Sequence, residues 1–395
     1  MFLESLCRRN PEFIQMVADL HQQGKLKANT FILDYDTIKN NITLISEKAA
    51  QLGLTVYPMT KQIGRNPAIL ELLKKMNCGK VVAVDWMGAL HIAAQGGEIG
   101  HVGHLVQVPK TETKAIANLC PEVWTVFSYE KAVEISNALA GTSLSQNLMV
   151  RVWKDGDTFY PGHEGGIPIK QLAETVERIN SLPHVRVVGV TSFPCLLFDQ
   201  TKRELYTTQN LDTVVEATAL LRKHGHIVEQ INTPGSTSTI VLEVLAKRGA
   251  THVEPGHGMT GTTPAHAFDD LPEKPAILYL SEVSHCYNEY AYFYGGGLYI
   301  DPVFSPYPVK ALVGSDASGI LEDRYETWLP DPSSIDYYGR VKGNRIAIKN
   351  GDTVILGFRA QVFHTRARVS VIRRSESGVP QVMGTWDAMG HSIIS

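Results

Sequence analysis

Eight short apolar runs, each followed by a stretch of helical periodicity, fill the chain from residue 55 to about residue 255. They are TVYPMT (55–60), KVVAVD (80–85), VGHLVQV (102–108), VWTVFS (123–128), LMVRVW (148–153), VRVVGVTS (185–192), IVEQINT (227–233) and ATHVEP (250–255). Runs of this length, rich in β-branched residues, suit strands buried on both faces. Strands that alternate with helices predict parallel pairing through βαβ crossovers. Eight units predict an α/β fold built on a closed (β/α)₈ barrel of the TIM type. A doubly wound open sheet is the alternative, disfavoured because no glycine-rich dinucleotide turn follows the first strand.

Beyond about Leu271 the period changes. ILYLSEVSHCY, AYFYGGGLYI, VKALVG, RIAI, DTVILGF, QVFHTRARVSVI and QVMGTW alternate or run apolar between Gly, Pro, Asn and Asp turns, and helical spacing fades. This predicts an all-β C-terminal domain. The expected division is residues 1–45, a helix at 10–24 and a strand at 30–35 that joins the β-domain; residues 46–271, the barrel; and residues 272–395, the β-domain.

Composition bears on partners. A hydrophobic content of 44% with 19% charged residues supports a large core, and a net charge of -3 argues against nucleic acid or an anionic membrane as a partner. The N-terminal residues carry Glu4, Arg8, Arg9 and Glu12 and lack the apolar core of a signal peptide, and no run is long enough to span a membrane. The five cysteines are scattered and form no CxxC pair, as expected of free thiols in a cytoplasmic protein.

In such a barrel the active site stands at the carboxyl ends of the strands. Strand one leads to Lys61, strand two to Asp85, strand three to His104 and Gln107, strand five to Arg151, and strand six to Thr191, Ser192 and Phe193. A lysine at that rim is poorly solvated, which lowers its pKa and suits a Schiff-base amine; a solvent-directed lysine is the plain alternative. Strand seven runs into TPGSTST, where Gly235, Ser236 and Thr237 open a helix and offer amides and hydroxyls to a phosphate. Gly256 and Gly258 of the next loop let backbone amides approach the same anion, against the alternative of ordinary N-capping and tight turns. Glu254 ends strand eight as a carboxylate that needs a cation or donor: a protonated ring nitrogen, or a salt bridge to Arg151.

Lysine after strand one, arginine on strand five, a Gly-Ser-Thr loop after strand seven and EPG after strand eight resemble the fold-type III pyridoxal-phosphate enzymes. That group holds alanine racemase, ornithine and diaminopimelate decarboxylases and D-threonine aldolase. With GHLVQVP, SFPCLLFD, EPGHGMTGTTP, YGGGLY and SSIDYY, the whole chain is similar to the alanine racemase-like YhfX-type branch. The resemblance implies pyridoxal 5'-phosphate as cofactor, Lys61 as the Schiff-base lysine, and Glu254 as the ring-nitrogen carboxylate where alanine racemase has arginine. It further implies Asp85 and Arg151 in the pocket, Gly235, Ser236, Thr237, Gly256 and His257 about the phosphate, and Phe193 where the family stacks a histidine.

A racemase also needs a second acid/base, which the family takes from a β-domain tyrosine of the partner subunit. Tyr294 is the match, with Tyr292 and His285 as substitutes, and a homodimer with shared active sites follows from the resemblance. Some relatives bind a divalent metal through a His-x-Cys pair near His364, but Arg366 stands at the cysteine position, and no other histidine pair has a ligand spacing; no metal is expected. The implied activity is amino-acid racemisation, with decarboxylation or a lyase reaction as the alternative and a non-catalytic pyridoxal-phosphate carrier behind both.

Overall fold

The computed structural model describes residues 1–302, 307–331, 333–343 and 348–393. They form two compact units. One comprises Ile45–Thr60 and Leu70–Gly256; the other comprises Met1–Leu44, Lys61–Ile69 and His257–Ser395.

The first unit is built on a parallel sheet of eight strands in sequence around the barrel, with a short ninth, Ile167–Pro168, pairing beside Gln146–Trp153. Its spatial order is Thr55–Val56, His252–Val253, Gln230–Asn232, Val185–Thr191, Gln146–Trp153, Val123–Val126, Glu98–Val102 and Lys80–Ala83, and a parallel bridge from Met59 to Val82 joins the two ends. This is the predicted TIM-type barrel. Its interior holds Tyr57, Met59, Val82, Val123, Met149 and Val188, each from a strand or its edge.

One reading of this unit needs correction. The third strand is Glu98–Val102, not 102–108. The pattern from Glu98 runs exposed and then continuously buried, and Gly103 at φ +77° turns the chain out of the sheet. After the seventh strand come a 3₁₀ turn, Thr239–Val241, and a short α-helix, Leu242–Lys247. An antiparallel hairpin, Leu196–Asp199 with Glu204–Thr207, begins in the SFPCLLFD stretch.

The second unit is an antiparallel β-structure with two N-terminal helices, Phe2–Arg9 and Pro11–Gln22. Only the second helix was expected; Asn10 and Pro11 divide what reads as one amphipathic stretch, Pro11 taking the helix-start position its missing N–H favours. The strand Thr30–Asp34 lies between Ile277–Tyr287, to which it is antiparallel, and Arg368–Arg374, to which it is parallel. Its five residues are all buried, as a strand with neighbours on both edges requires. Leu6, Phe13, Ile14, Val17, Ile32, Leu280, Leu312 and Ile355 form the core of this unit. The RIAI run at 345–348 lies, but for Ile348, outside the described residues. No described helix is long and apolar enough to cross a membrane.

Candidate functional site

Within the barrel unit, polar chemistry gathers at the carboxyl ends of adjacent strands. Asn232 ends the seventh strand and pairs in register with His252, two residues before Glu254. Glu254 is buried, and its Oε1 accepts from His101 Nδ1 at 2.5 Å and from Asn232 Nδ2 at 2.7 Å. Its Oε2 stands 3.6 Å from His104 Nε2. His101 Nε2 meets Thr125 Oγ1 at 2.5 Å. Burial alone would push the Glu254 carboxyl up; the imidazoles of His104 and His101 and the two hydrogen bonds outweigh it and hold the group at about 2.

This arrangement disposes of the salt bridge to Arg151. The Arg151 guanidinium is buried, donates to His163 O at 2.5 Å and Phe193 O at 3.4 Å, and lies over the rings of Phe127 and Phe159 at 4.8 and 5.6 Å. No carboxylate reaches it among the described residues. Burial lowers its pKa to about 10, opposed by Cys195 and Glu164.

The loop after strand seven has the features of an anion cradle. Gly235 has φ +138°, and a Cβ there would stand 2.8 Å from Leu196 O, so only glycine fits. Thr233, Thr237 and Ser238 are buried, and their hydroxyls make no hydrogen bond among the described residues. Ser238 stands at the N-cap position yet makes no cap bond, so capping does not explain these hydroxyls. Buried hydroxyls aligned on one loop suit the oxygens of a phosphate.

The remaining barrel residues have local partners. Asp85 caps the helix Trp86–Ala94, accepting from Gly88 N at 2.5 Å. Phe193 sits among the rings of His104, Tyr160 and His163, with centroids 5.5, 5.5 and 6.4 Å away. Gln107, expected on the third strand, instead ties its loop to the barrel through Gly103 O and Thr125 O at 2.9 and 3.0 Å.

In the second unit, Lys61 begins the 3₁₀ turn Lys61–Ile63 directly after Thr60, and its Nζ lies 5.2 Å from the Phe363 ring centroid. His257 is buried; its Nε2 donates to Ala360 O at 3.0 Å and its Nδ1 lies 3.3 Å from Arg359 Nη2. Arg359 is ion-paired with Asp301, which also accepts from Gln361 Nε2 at 2.6 Å. Burial first, and then the Arg359 charge, lower the His257 pKa to about 3.

Tyr294 is 39% exposed; its carbonyl accepts from Ser281 Oγ at 2.7 Å, and its ring lies 5.9 Å from that of Tyr338. Of its substitutes, His285 stacks on Tyr292 at 4.7 Å. Arg366, at the cysteine position, pairs with Asp336, whose other carboxylate oxygen accepts from Gly296 N and Leu298 N at 2.9 and 3.1 Å. The arginine is thus part of the clasp that shapes the GGG loop.

Sequence reasoning set aside His101 for want of a ligand spacing and did not single out Asn232, Arg359 or Asp301. His101, His104 and Glu254 nevertheless offer ligand-type atoms all within 4.8 Å of one another. Strands three and eight are not neighbours in the sheet, and only closure of the barrel brings their side chains together, so no local spacing could announce the cluster. Gly256, with Gly235, Ser236 and Thr237, belongs to the barrel unit; His257 belongs to the other.

Comparisons with known proteins agree with this architecture. Residues 33–264 match the family described as alanine racemase, N-terminal domain, and residues 278–382 match the YhfX-like C-terminal domain. The chain is 38% identical to the uncharacterized protein YhfX of Escherichia coli (strain K12), over 100% of both chains. D-threonine aldolase from Filomicrobium marinum superposes with a TM-score of 0.68 at 15% identity, covering 92% of this chain and 96% of its own. Alanine racemase of Clostridium difficile 630, in complex with cycloserine, gives 0.64 at 14% identity, covering 92% and 100%. D-threo-3-hydroxyaspartate dehydratase from Delftia sp. HT23 gives 0.61 at 14% identity, covering 93% and 98%. These three likenesses establish the fold alone. With both halves matched by their own families and a full-length relative at 38% identity, the chain belongs to the YhfX-type branch of the alanine racemase-like, fold-type III proteins.

Proposed function

We propose that this protein is a pyridoxal 5'-phosphate-dependent enzyme acting at the Cα of an amino acid, and that the reaction is racemisation. The observation that carries the reading is the pairing, on adjacent strand ends of one unit, of an ionised buried carboxylate, Glu254, with the unpartnered hydroxyls of Thr237 and Ser238 beside Gly235. A pyridoxal phosphate needs an anion cradle at one end of its ring system and an anionic partner at the ring nitrogen, and the residues present fit both needs.

In this scheme Lys61 holds the cofactor covalently and moves a proton at Cα. Glu254 keeps the ring nitrogen protonated. Gly235, Ser236, Thr237 and Gly256 hold the phosphate with His257 beside it, Phe193 covers one ring face, and Asp85 and Arg151 line the pocket. Tyr294 of a second copy delivers the proton from the opposite face, so the working protein is a homodimer. Residues 46–271 form the cofactor-binding part, and the protein works in the cytoplasm. When bound, the cofactor supplies an electron sink that acidifies Cα.

Decarboxylation or a lyase reaction is the second reading. Glu254 favours it, because a carboxylate at the ring nitrogen supports a wider set of reactions than an arginine does. The purified protein is expected to absorb near the visible–ultraviolet boundary, and borohydride is expected to fix the cofactor to Lys61. An unchanged band in Lys61→Ala would refute the assignment. In a screen of D- and L-amino acids, solvent deuterium entering Cα without loss of carbon dioxide identifies the racemase. Carbon dioxide release identifies the decarboxylase, and loss of a β-substituent the lyase.

A further inference from the structure

We infer that His101 and Asn232 are positioning residues: they clamp one oxygen of Glu254 and reserve the other for the cofactor's ring nitrogen. The inference rests on the pyridoxal reading and assigns it two residues beyond those already given a role. Both donors converge on Oε1, His101 Nδ1 at 2.5 Å and Asn232 Nδ2 at 2.7 Å, while Oε2 makes no hydrogen bond among the described residues.

The clamp is itself held. Thr125 Oγ1, 2.5 Å from His101 Nε2, fixes the ring so that Nδ1–H faces the carboxylate, and the backbone of Asn232 is locked by parallel pairing on both sides. His101, Asn232, Thr125 and Glu254 lie on four strands or strand ends of one closed sheet, all buried, so the sheet itself holds the clamp. A buried carboxylate with no such donors would take up a proton, and a neutral acid cannot hold a pyridinium. Fixing Oε1 with two donors selects the ionised form and its rotamer together. His104 Nε2 stands 3.6 Å from Oε2, within ion-pair range of the free oxygen.

A metal ion is the competing occupant, since His101, His104 and Glu254 are ligand-type groups at close range. The contact between His101 Nδ1 and Glu254 Oε1 speaks against an ion shared by those two atoms. Two ligands about 2.1 Å from one tetrahedral ion stand roughly 3.4 Å apart. His101 Nδ1 and Glu254 Oε1 are 2.5 Å apart, a hydrogen bond with no room for an ion between them.

The test is ligand discrimination. Full-length protein is reconstituted with pyridoxal 5'-phosphate and, separately, with its 1-deaza analogue, in which carbon replaces the ring nitrogen, and the two affinities are compared. The wild-type protein is expected to prefer the nitrogen ring by roughly tenfold to a hundredfold, the scale of one charge-assisted hydrogen bond. That ratio should approach one in Glu254→Gln and drop in His101→Leu and in Asn232→Ala. It should partly return in His101→Gln, which keeps a donor. A merely structural role would weaken both ligands alike and leave the ratio unmoved.

A wild-type ratio retained in both His101→Leu and Asn232→Ala overturns the clamp while leaving the pyridoxal reading intact. Binding of neither ligand by the wild-type protein removes that reading and the inference with it. Stoichiometric metal that survives purification and is lost in His104→Ala overturns the clamp in favour of a metal site. If His101→Leu fails to fold, Asn232→Ala and His101→Gln read the same ratio.

Discussion

Two buried histidine–acid clusters, one in each unit, solve the same electrostatic problem in opposite ways. In the barrel unit the acid is Glu254, the cations at hand are imidazoles, and the carboxylate is held ionised at about 2. In the other unit Asp301 already has the guanidinium of Arg359, so burial and that same positive charge drive His257 to its neutral form, to about 3. Histidine and carboxylate are common to both clusters; what differs is whether a permanent cation stands between them. Where it is missing, imidazoles and an amide are the groups that face the carboxylate. Where it is present, the imidazole becomes a neutral hydrogen-bonding group, here facing Ala360 O.

The sharpest way to break this comparison is to delete one partner from each cluster. Glu254→Leu leaves two imidazoles facing an apolar chain in a fully buried place, and a loss of about 3–5 kcal/mol in urea unfolding is expected. Glu254→Gln keeps the shape and an acceptor and should lose clearly less. Arg359→Met should come next, with a loss of about 2–4 kcal/mol. It should also raise the His257 pKa toward or above the free-imidazole range, because Asp301 then turns to the histidine; an imidazole titration by NMR reads this. A His257 that stays neutral through pH 5 in Arg359→Met would show that burial alone decides, and the comparison would lose its basis.

Acid should separate the clusters by window. A histidine with a depressed folded pKa is protonated first in the unfolded chain, so stability falls as pH drops below the free value of 6.5, toward about 3 for His257 and about 4 for the buried His252. Glu254 contributes stability that is present above the unfolded value of 4.5 and is lost as pH falls toward about 2. Urea midpoints taken from pH 7 to pH 3 should therefore decline from near 6.5. Removing Glu254 should flatten only the part below 4.5.

The smallest effect should be that of Tyr294→Phe. Half-exposed at the surface of its strand, its hydroxyl should change stability by less than about 0.5 kcal/mol. If it delivers the second proton, turnover should nonetheless fall by about a hundredfold or more. Intact turnover would move the acid/base role elsewhere.

Much of the fold was legible because it is written locally. Each barrel strand carries its own apolar run and each run has its own helix, so the periodicity alone gave the barrel and its order of strands. Gly235 and Glu254 could be singled out because loops after strands seven and eight are where such barrels bind anions. What could not be read depends on closure. His101 meets Glu254 across 153 residues, and Arg359 meets His257 across 102. Neither pair has a spacing to detect, and the register of the third strand, which decides that His101 and not His104 lies inside the sheet, hinges on Gly103 turning the chain one residue past Val102. The helix Phe2–Arg9 escaped notice because Asn10 and Pro11 interrupt an otherwise continuous amphipathic pattern.

The strand Thr30–Asp34 has a consequence for synthesis. Its neighbours in the sheet arrive some 245 and 340 residues later in the chain, with Thr30 opposite Leu280 and Arg368. On the ribosome the barrel can assemble unit by unit as it emerges, each strand beside one made shortly before. The apolar strand Thr30–Asp34 must wait with both edges open until Ile277–Tyr287 has been made, and with one edge open until Arg368–Arg374 follows near the end of translation. A chain that stalls or is cut before residue 368 would present an unpaired edge at the centre of its β-structure, so truncations from the C-terminus should yield aggregation and not a free barrel.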